Sequence, residues 1–201
     1  GVHNISLVSP TQYLPPVLEA LRLAKPALRI PVVYNCGGYE RVETVRVLSD
    51  FIDIFLPDLK YKSPELSGKY SGAPDYFEKA SAAATEMIAL AGPPVFNEEG
   101  MMRRGVILRH LVLPGCRRDS IELLEWIAGS LPRDGFLLSL MSQYTPTPRT
   151  REFPELHRRV TSMEYDSVVD EAVRLGLTDG YMQRRGSADA ATGPPQPPPG
   201  S

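Results

Sequence analysis

A short apolar run that breaks into polar residues and then gives way to a segment of helical spacing recurs five times along this chain. The repetition leaves few folds open. The runs are Ile5-Ser6-Leu7-Val8, Pro31-Val32-Val33-Tyr34, Ile52-Asp53-Ile54-Phe55-Leu56, Val106-Ile107-Leu108-Arg109-His110-Leu111-Val112-Leu113 and Phe136-Leu137-Leu138-Ser139-Leu140-Met141. Strands this continuously apolar are buried on both faces, which points to a parallel sheet carrying helices. Right-handed crossovers then collect the polar strand ends on one rim.

The intervening segments carry helix signals. Pro15 and Pro16 fit a first turn, with Val17, Leu18 and Leu21 behind them and an end near Pro26. Val42, Val45 and Leu48 share a face within residues 40–50, and Phe77, Ala80, Ala84, Met87 and Ile88 do so within residues 75–90, before Gly92-Pro93-Pro94 closes the helix. Asp119 with Glu122 three residues on reads as a cap ahead of Ile121, Leu123, Leu124, Trp126 and Ile127. Thr161 with Glu164 reads as a second capping box, and Gly176 as the stop of its helix. Residues 64–70 read as a short turn-like piece, and Asn97-Glu98-Glu99-Gly100 as a hairpin-like turn before a strand over residues 105–113.

The fold class these signals predict is α/β, a partial parallel (βα) barrel. Five units are too few to close an eight-stranded barrel. One domain is expected over residues 1–183, followed by a tail over residues 184–201 whose Pro194-Pro195-Gln196-Pro197-Pro198-Pro199 has nothing to bury and should be disordered. A net charge of -2 argues against nucleic acid or an anionic membrane as the partner, and no apolar run approaches the length of a membrane span. Cys36 and Cys116 form neither a metal-ligand spacing nor a disulfide framework, so a reducing, cytoplasmic setting is expected. The start, Gly1-Val2-His3-Asn4, lacks both an initiator Met and a signal peptide, and reads as a cut inside a longer protein.

The rim collects chemistry. It carries Ser9 and Thr11, Asn35 with Gly37 and Gly38, Asp58 and Lys60, and Gln143 with Tyr144. Two residues apart on a strand, Asp58 and Lys60 point to the same side, as a water-facing ion pair or as a ligand site. Arg109, inside an apolar run, is expected to face away from the helices. His110, its neighbour, should face the helices as a hydrogen-bonded core histidine.

Five stretches, His3 to Tyr13, Val33 to Glu40, Leu56 to Tyr61, Arg104 to Gly115 and Leu140 to Pro146, resemble in order and spacing the radical S-adenosylmethionine proteins related to pyruvate formate-lyase activating enzyme. The resemblance runs from about His3 to Gln183. It implies a six-unit partial barrel, five units of which are present here. It also implies a [4Fe-4S] cluster that donates an electron to S-adenosylmethionine, releasing methionine and a 5'-deoxyadenosyl radical, with a glycyl radical enzyme or another protein substrate as partner. Asp58 then matches the residue for the cofactor's ammonium and Lys60 that for its carboxylate. Asn35 stands where relatives are usually acidic, and Ser9-Pro10-Thr11 where many have Gly-Gly-Glu. Arg109 matches a strand arginine near the cofactor, against the alternative of an interior partner for Asp58, and Gln143 completes the cofactor-binding set. The Cys-x-x-x-Cys-x-x-Cys loop is absent, so the cluster ligands are expected upstream of Gly1 and this chain alone is expected to be inactive. Two other readings stand beside this one: a Schiff-base lyase using Lys60, and a non-catalytic fragment that binds a partner through an uncovered sheet edge.

Overall fold

In the computed structural model, residues 1–182 are described. Seven strands occur among them: β1 (Ile5–Val8), β2 (Val32–Cys36), β3 (Ile54–Pro57), β4 (Val95–Phe96), β5 (Met102–Leu111), β6 (Leu137–Met141) and β7 (Gly180–Met182). The helices are α1 (Leu14–Ala24), α2 (Val42–Leu48), α3 (Pro64–Ser71), α4 (Tyr76–Ala91), α5 (Arg117–Ser130) and α6 (Ser162–Arg174). The sheet order is β1-β2-β3-β5-β6-β7, every neighbouring pair parallel, with β4 antiparallel on β5. The protein is thus an open α/β parallel sheet. Because the order follows the chain without reversal, right-handed crossovers put the helices on one face.

Side-chain alternation sorts the strand residues between that face and the other. Val32, Tyr34, Cys36, Phe55, Val106, Leu108, Leu138 and Leu140 join Val45, Leu48, Met87, Leu124, Ile127 and Val168 of the helices in one buried cluster. Each fully buried aliphatic side chain contributes about 1.5–3 kcal/mol. The intervening residues, among them Asn35, Leu56, Ile107, Arg109 and Ser139, point the other way and are only half-buried. Among the described residues β1 lies at one edge of the sheet, and Val8 there is 66% exposed.

Most elements fall where the patterns put them, and the differences have local causes. β5 begins at Met102 rather than Gly105, because the expected turn at Asn97, closed by its Oδ1 accepting from Glu99 N and Met101 N, pairs Val95–Phe96 with the start of the strand. Residues 64–71 form a helix instead of a turn. Ser63 Oγ accepts from Glu65 N and Leu66 N at its start, and Gly72, at φ 64°, ends it. The Asp119 cap is corrected. α5 starts at Arg117, so Asp119 lies in its first turn and accepts instead from Lys62 N (3.1 Å) and Ser63 N (2.6 Å) of the loop after β3. The Thr161–Glu164 capping box forms as expected. β7 is a sixth parallel strand absent from the sequence reading. It is three residues long and opens on Gly180, where a Cβ would meet Leu138 O at 1.9 Å. The expected tail lies outside the described residues. Among those described, no helix is long and apolar enough to cross a membrane.

Candidate functional site

The chain does not leave the sheet at Pro57. Asp58 N donates to Cys36 O (3.0 Å) and Leu59 N to Arg109 O (2.8 Å), so extended geometry persists past the end of β3 and Asp58 pairs with Arg109 across the sheet. Neighbours in parallel register share a face, which brings the two side chains together. Arg109 NH2 lies 2.7 Å from Asp58 Oδ1 and donates to Asn35 Oδ1 at the same distance. Lys60 Nζ stands 3.8 Å from Asp58 Oδ2, on the same side as sequence alternation predicts.

These groups bound a cleft of about 370 Å³ at the carboxyl ends of the strands, together with Tyr61, Gln143 and Tyr144, over an apolar floor of Leu111, Leu113 and Met141. That volume lies within the range of small-molecule sites, and strand carboxyl ends are where open α/β sheets take ligands. Two cations face one carboxylate, leaving a positive charge uncompensated within the Asp58–Lys60–Arg109 group. Among the described residues, the buried donor Arg109 Nε has no hydrogen-bond partner. The arrangement suits a ligand bearing a carboxylate. Asp58 Oδ2, whose ion partner Lys60 is distant, is an acceptor available to an ammonium.

Ser9, Thr11 and Asn35 lie outside that cleft's lining. Asn35 is joined to it through Arg109. Ser9 is exposed at the end of β1 in the left-handed region, φ 49°, its N–H held by Asn35 O. Thr11 Oγ1 donates to Glu40 Oε1 (2.7 Å) and lies 2.8 Å from Tyr34 Oη. Burial raises the Glu40 carboxyl above its ordinary range, and its Oε2 has no hydrogen-bond partner among the described residues. Sequence reasoning missed Glu40, although an acid directly behind Gly37-Gly38-Tyr39 was a visible signal. On the opposite face His110 is 2% exposed, with Nδ1 at 2.7 Å from Leu59 O and Nε2 at 2.8 Å from Ser120 Oγ, and burial pushes its pKa down to about 4. It is the hydrogen-bonded core histidine expected.

No family model matches the chain. It is 28% identical over 179 residues to an uncharacterized protein of Methanocaldococcus jannaschii, a match covering 87% of this chain and 47% of that protein. The chain therefore spans about half the length of this relative. A crystal structure of a domain of pyruvate-formate lyase-activating enzyme from Bacteroides vulgatus superimposes with a TM-score of 0.62, covering 90% of this chain and 97% of that domain at 14% identity. The two share a fold. At that identity the likeness is one of architecture, and the chemistry rests on the residues.

An iron-sulfur cluster does not fit the residues described. Cys36 and Cys116 are both buried, burial pushes the Cys36 thiol up to about 12, and no group of three or more metal-ligating side chains occurs among the described residues. The cleft itself offers an acceptor suited to an ammonium and two cations suited to a carboxylate.

Proposed function

We propose that this chain is the cofactor-binding part of a radical S-adenosylmethionine oxidoreductase of the glycyl-radical-activase kind. The convergence of Asp58, Lys60 and Arg109 at one strand-end cleft, with Arg109 Nε unpartnered among the described residues, carries the reading. Asp58 binds the ammonium of S-adenosylmethionine, while Lys60 and Arg109 bind its carboxylate. Gln143 and Tyr144 bound the remaining wall. Enzymes of this kind cleave the bound cofactor reductively to methionine and a 5'-deoxyadenosyl radical. The electron donor has to be held by residues other than those described. A glycyl radical enzyme, or another protein substrate, is the proposed recipient of the radical. The shared fold with a pyruvate-formate lyase-activating enzyme domain supports this reading.

Lys60 is ill suited to a Schiff base, because its side chain is 45% exposed and faces a carboxylate rather than an apolar pocket. The test is a two-dimensional NMR titration of the chain with S-adenosylmethionine up to millimolar concentration. Saturable shifts at the Asp58, Lys60 and Arg109 amides are expected, with L-methionine reproducing them. Shifts scattered over the surface, or none, would reject the assignment.

A further inference from the structure

Tyr76 opens α4 on the helical side of the sheet, 3% exposed, yet its hydroxyl reaches the strand ends. Oη lies 2.8 Å from Gly37 O and 2.8 Å from Asp58 O, and it accepts the N–H of Lys60 at 3.2 Å. A phenol carries one proton and an accepting oxygen, so the proton serves the two carbonyls while the lone pairs take Lys60 N. One atom thus holds the peptide groups on both sides of Leu59 and fastens them to the turn after β2.

The ring cannot swing away. Tyr39 stacks on it at 6.1 Å and 9°, and Tyr61 meets it edge-on at 5.5 Å and 75°. The backbone approaches closely beside Gly38. A Cβ at Gly38, whose φ is 82°, would stand 2.0 Å from Asp58 O and 2.9 Å from Tyr76 Oη. Burial raises the phenol's pKa, keeping the donor protonated at neutral pH.

We propose that Tyr76 is the positioning residue of the cleft. By orienting the peptides of Asp58 and Lys60, it sets the two side chains at the separation that matches the ammonium and carboxylate on one α-carbon. This deepens the reading above and rests on it. The competing account is that the hydroxyl only ties α4 to the sheet.

Tyr76→Phe removes the hydroxyl and keeps the ring. With S-adenosylmethionine as probe, the variant is expected to bind roughly ten-fold more weakly by NMR titration, the size of one lost hydrogen bond of about 1.4 kcal/mol. Lys60→Ala should then weaken binding less in the Tyr76→Phe background than in the native chain. Tyr39→Phe, which removes a hydroxyl bonded to Asp75, is the control and should bind as the native chain does. Without any ligand, a crystal structure of Tyr76→Phe should show the Lys60 and Asp58 side chains parted. Unchanged affinity with a lowered melting temperature, or an undisturbed ion pair, overturns the inference and leaves a structural tie. If Tyr76→Phe fails to fold, difluorotyrosine at position 76 preserves the volume and weakens the accepting oxygen, and an unaltered affinity there is equally fatal. Failure of the native chain to bind would count against the proposed function. The crystallographic comparison would still decide the role of Tyr76.

Discussion

Arg109 and His110 are consecutive residues of one strand and meet opposite fates. His110 turns into the helix layer, where both ring nitrogens find partners, and it stays neutral. Arg109 turns to the other face, engages Asp58 and Asn35, and retains a buried Nε with no acceptor among the described residues. Polar groups saturated within the chain are structural, because a ligand would have to break bonds to engage them. Polar groups left with capacity at a cleft are available for recognition. Glu40 tests the rule from an intermediate place, with Oε1 engaged by Thr11 and Oε2 without a partner among the described residues.

The contrast is most exposed to challenge at His110. His110→Ala should lower the unfolding free energy by about 3–4 kcal/mol in urea titrations, since it opens a cavity, strands Leu59 O and leaves Ser120 Oγ only its bond to Cys116 O, while folded molecules bind S-adenosylmethionine as before. A loss below about 1 kcal/mol would remove the structural half of the comparison.

The same residue predicts a pH effect. Its folded pKa, about 4, lies below the ordinary 6.5, so between those values the unfolded chain binds the extra proton. The contribution is therefore complete above pH 6.5 and is lost as the pH falls toward 4, up to about 3 kcal/mol. Comparing denaturant midpoints of the native chain and His110→Gln from pH 7.5 to 4.5 (roughly the span of the shift) isolates it, and parallel curves would contradict the assignment.

At Lys60 the signs reverse: binding suffers and stability does not. Asp58→Ala or Lys60→Ala should each weaken S-adenosylmethionine binding by about 1–3 kcal/mol by calorimetry on this chain. Lys60→Ala should change stability by less than about 1 kcal/mol, because it removes only a partly exposed ion pair.

The smallest expected effect belongs to Glu40→Gln. The folded carboxyl titrates above its unfolded counterpart, so its ionisation destabilises the fold as the pH rises through that window. Gln keeps the acceptor for Thr11 without the charge, and thermal melts at pH 7 should show a gain of under about 1 kcal/mol. A loss instead would mean that the orphan oxygen has a partner in solution.

Features governed by local periodicity were legible in advance. Alternation placed Asp58 with Lys60 and separated Arg109 from His110, and continuous apolar runs marked the strands of the parallel sheet. Contacts made by reach across elements were not. Tyr76 reads as an ordinary first-turn aromatic until α4 is docked, and Asp119 reads as a cap until the loop after Lys60 is seen donating to it. β7 is too short to show a period. Thr11 was legible as a polar strand-end residue, but its partners Tyr34 and Glu40 are fixed only when β2 and its turn come alongside.

The uninterrupted strand order has a consequence for folding. Each unit lies beside the units before and after it in the chain, so the molecule is a linear array with nearest-neighbour coupling, closer in its energetics to a solenoid than to a sheet threaded through its own middle. Cooperativity in such an array is graded. Amide protection should be deepest around β3 and β5 and should fade toward β1, whose four residues have a neighbour on one side only among the described residues. The strand ends that form the cleft sit at the stiff centre, so fraying at the edge can proceed without loosening the groups that hold a ligand.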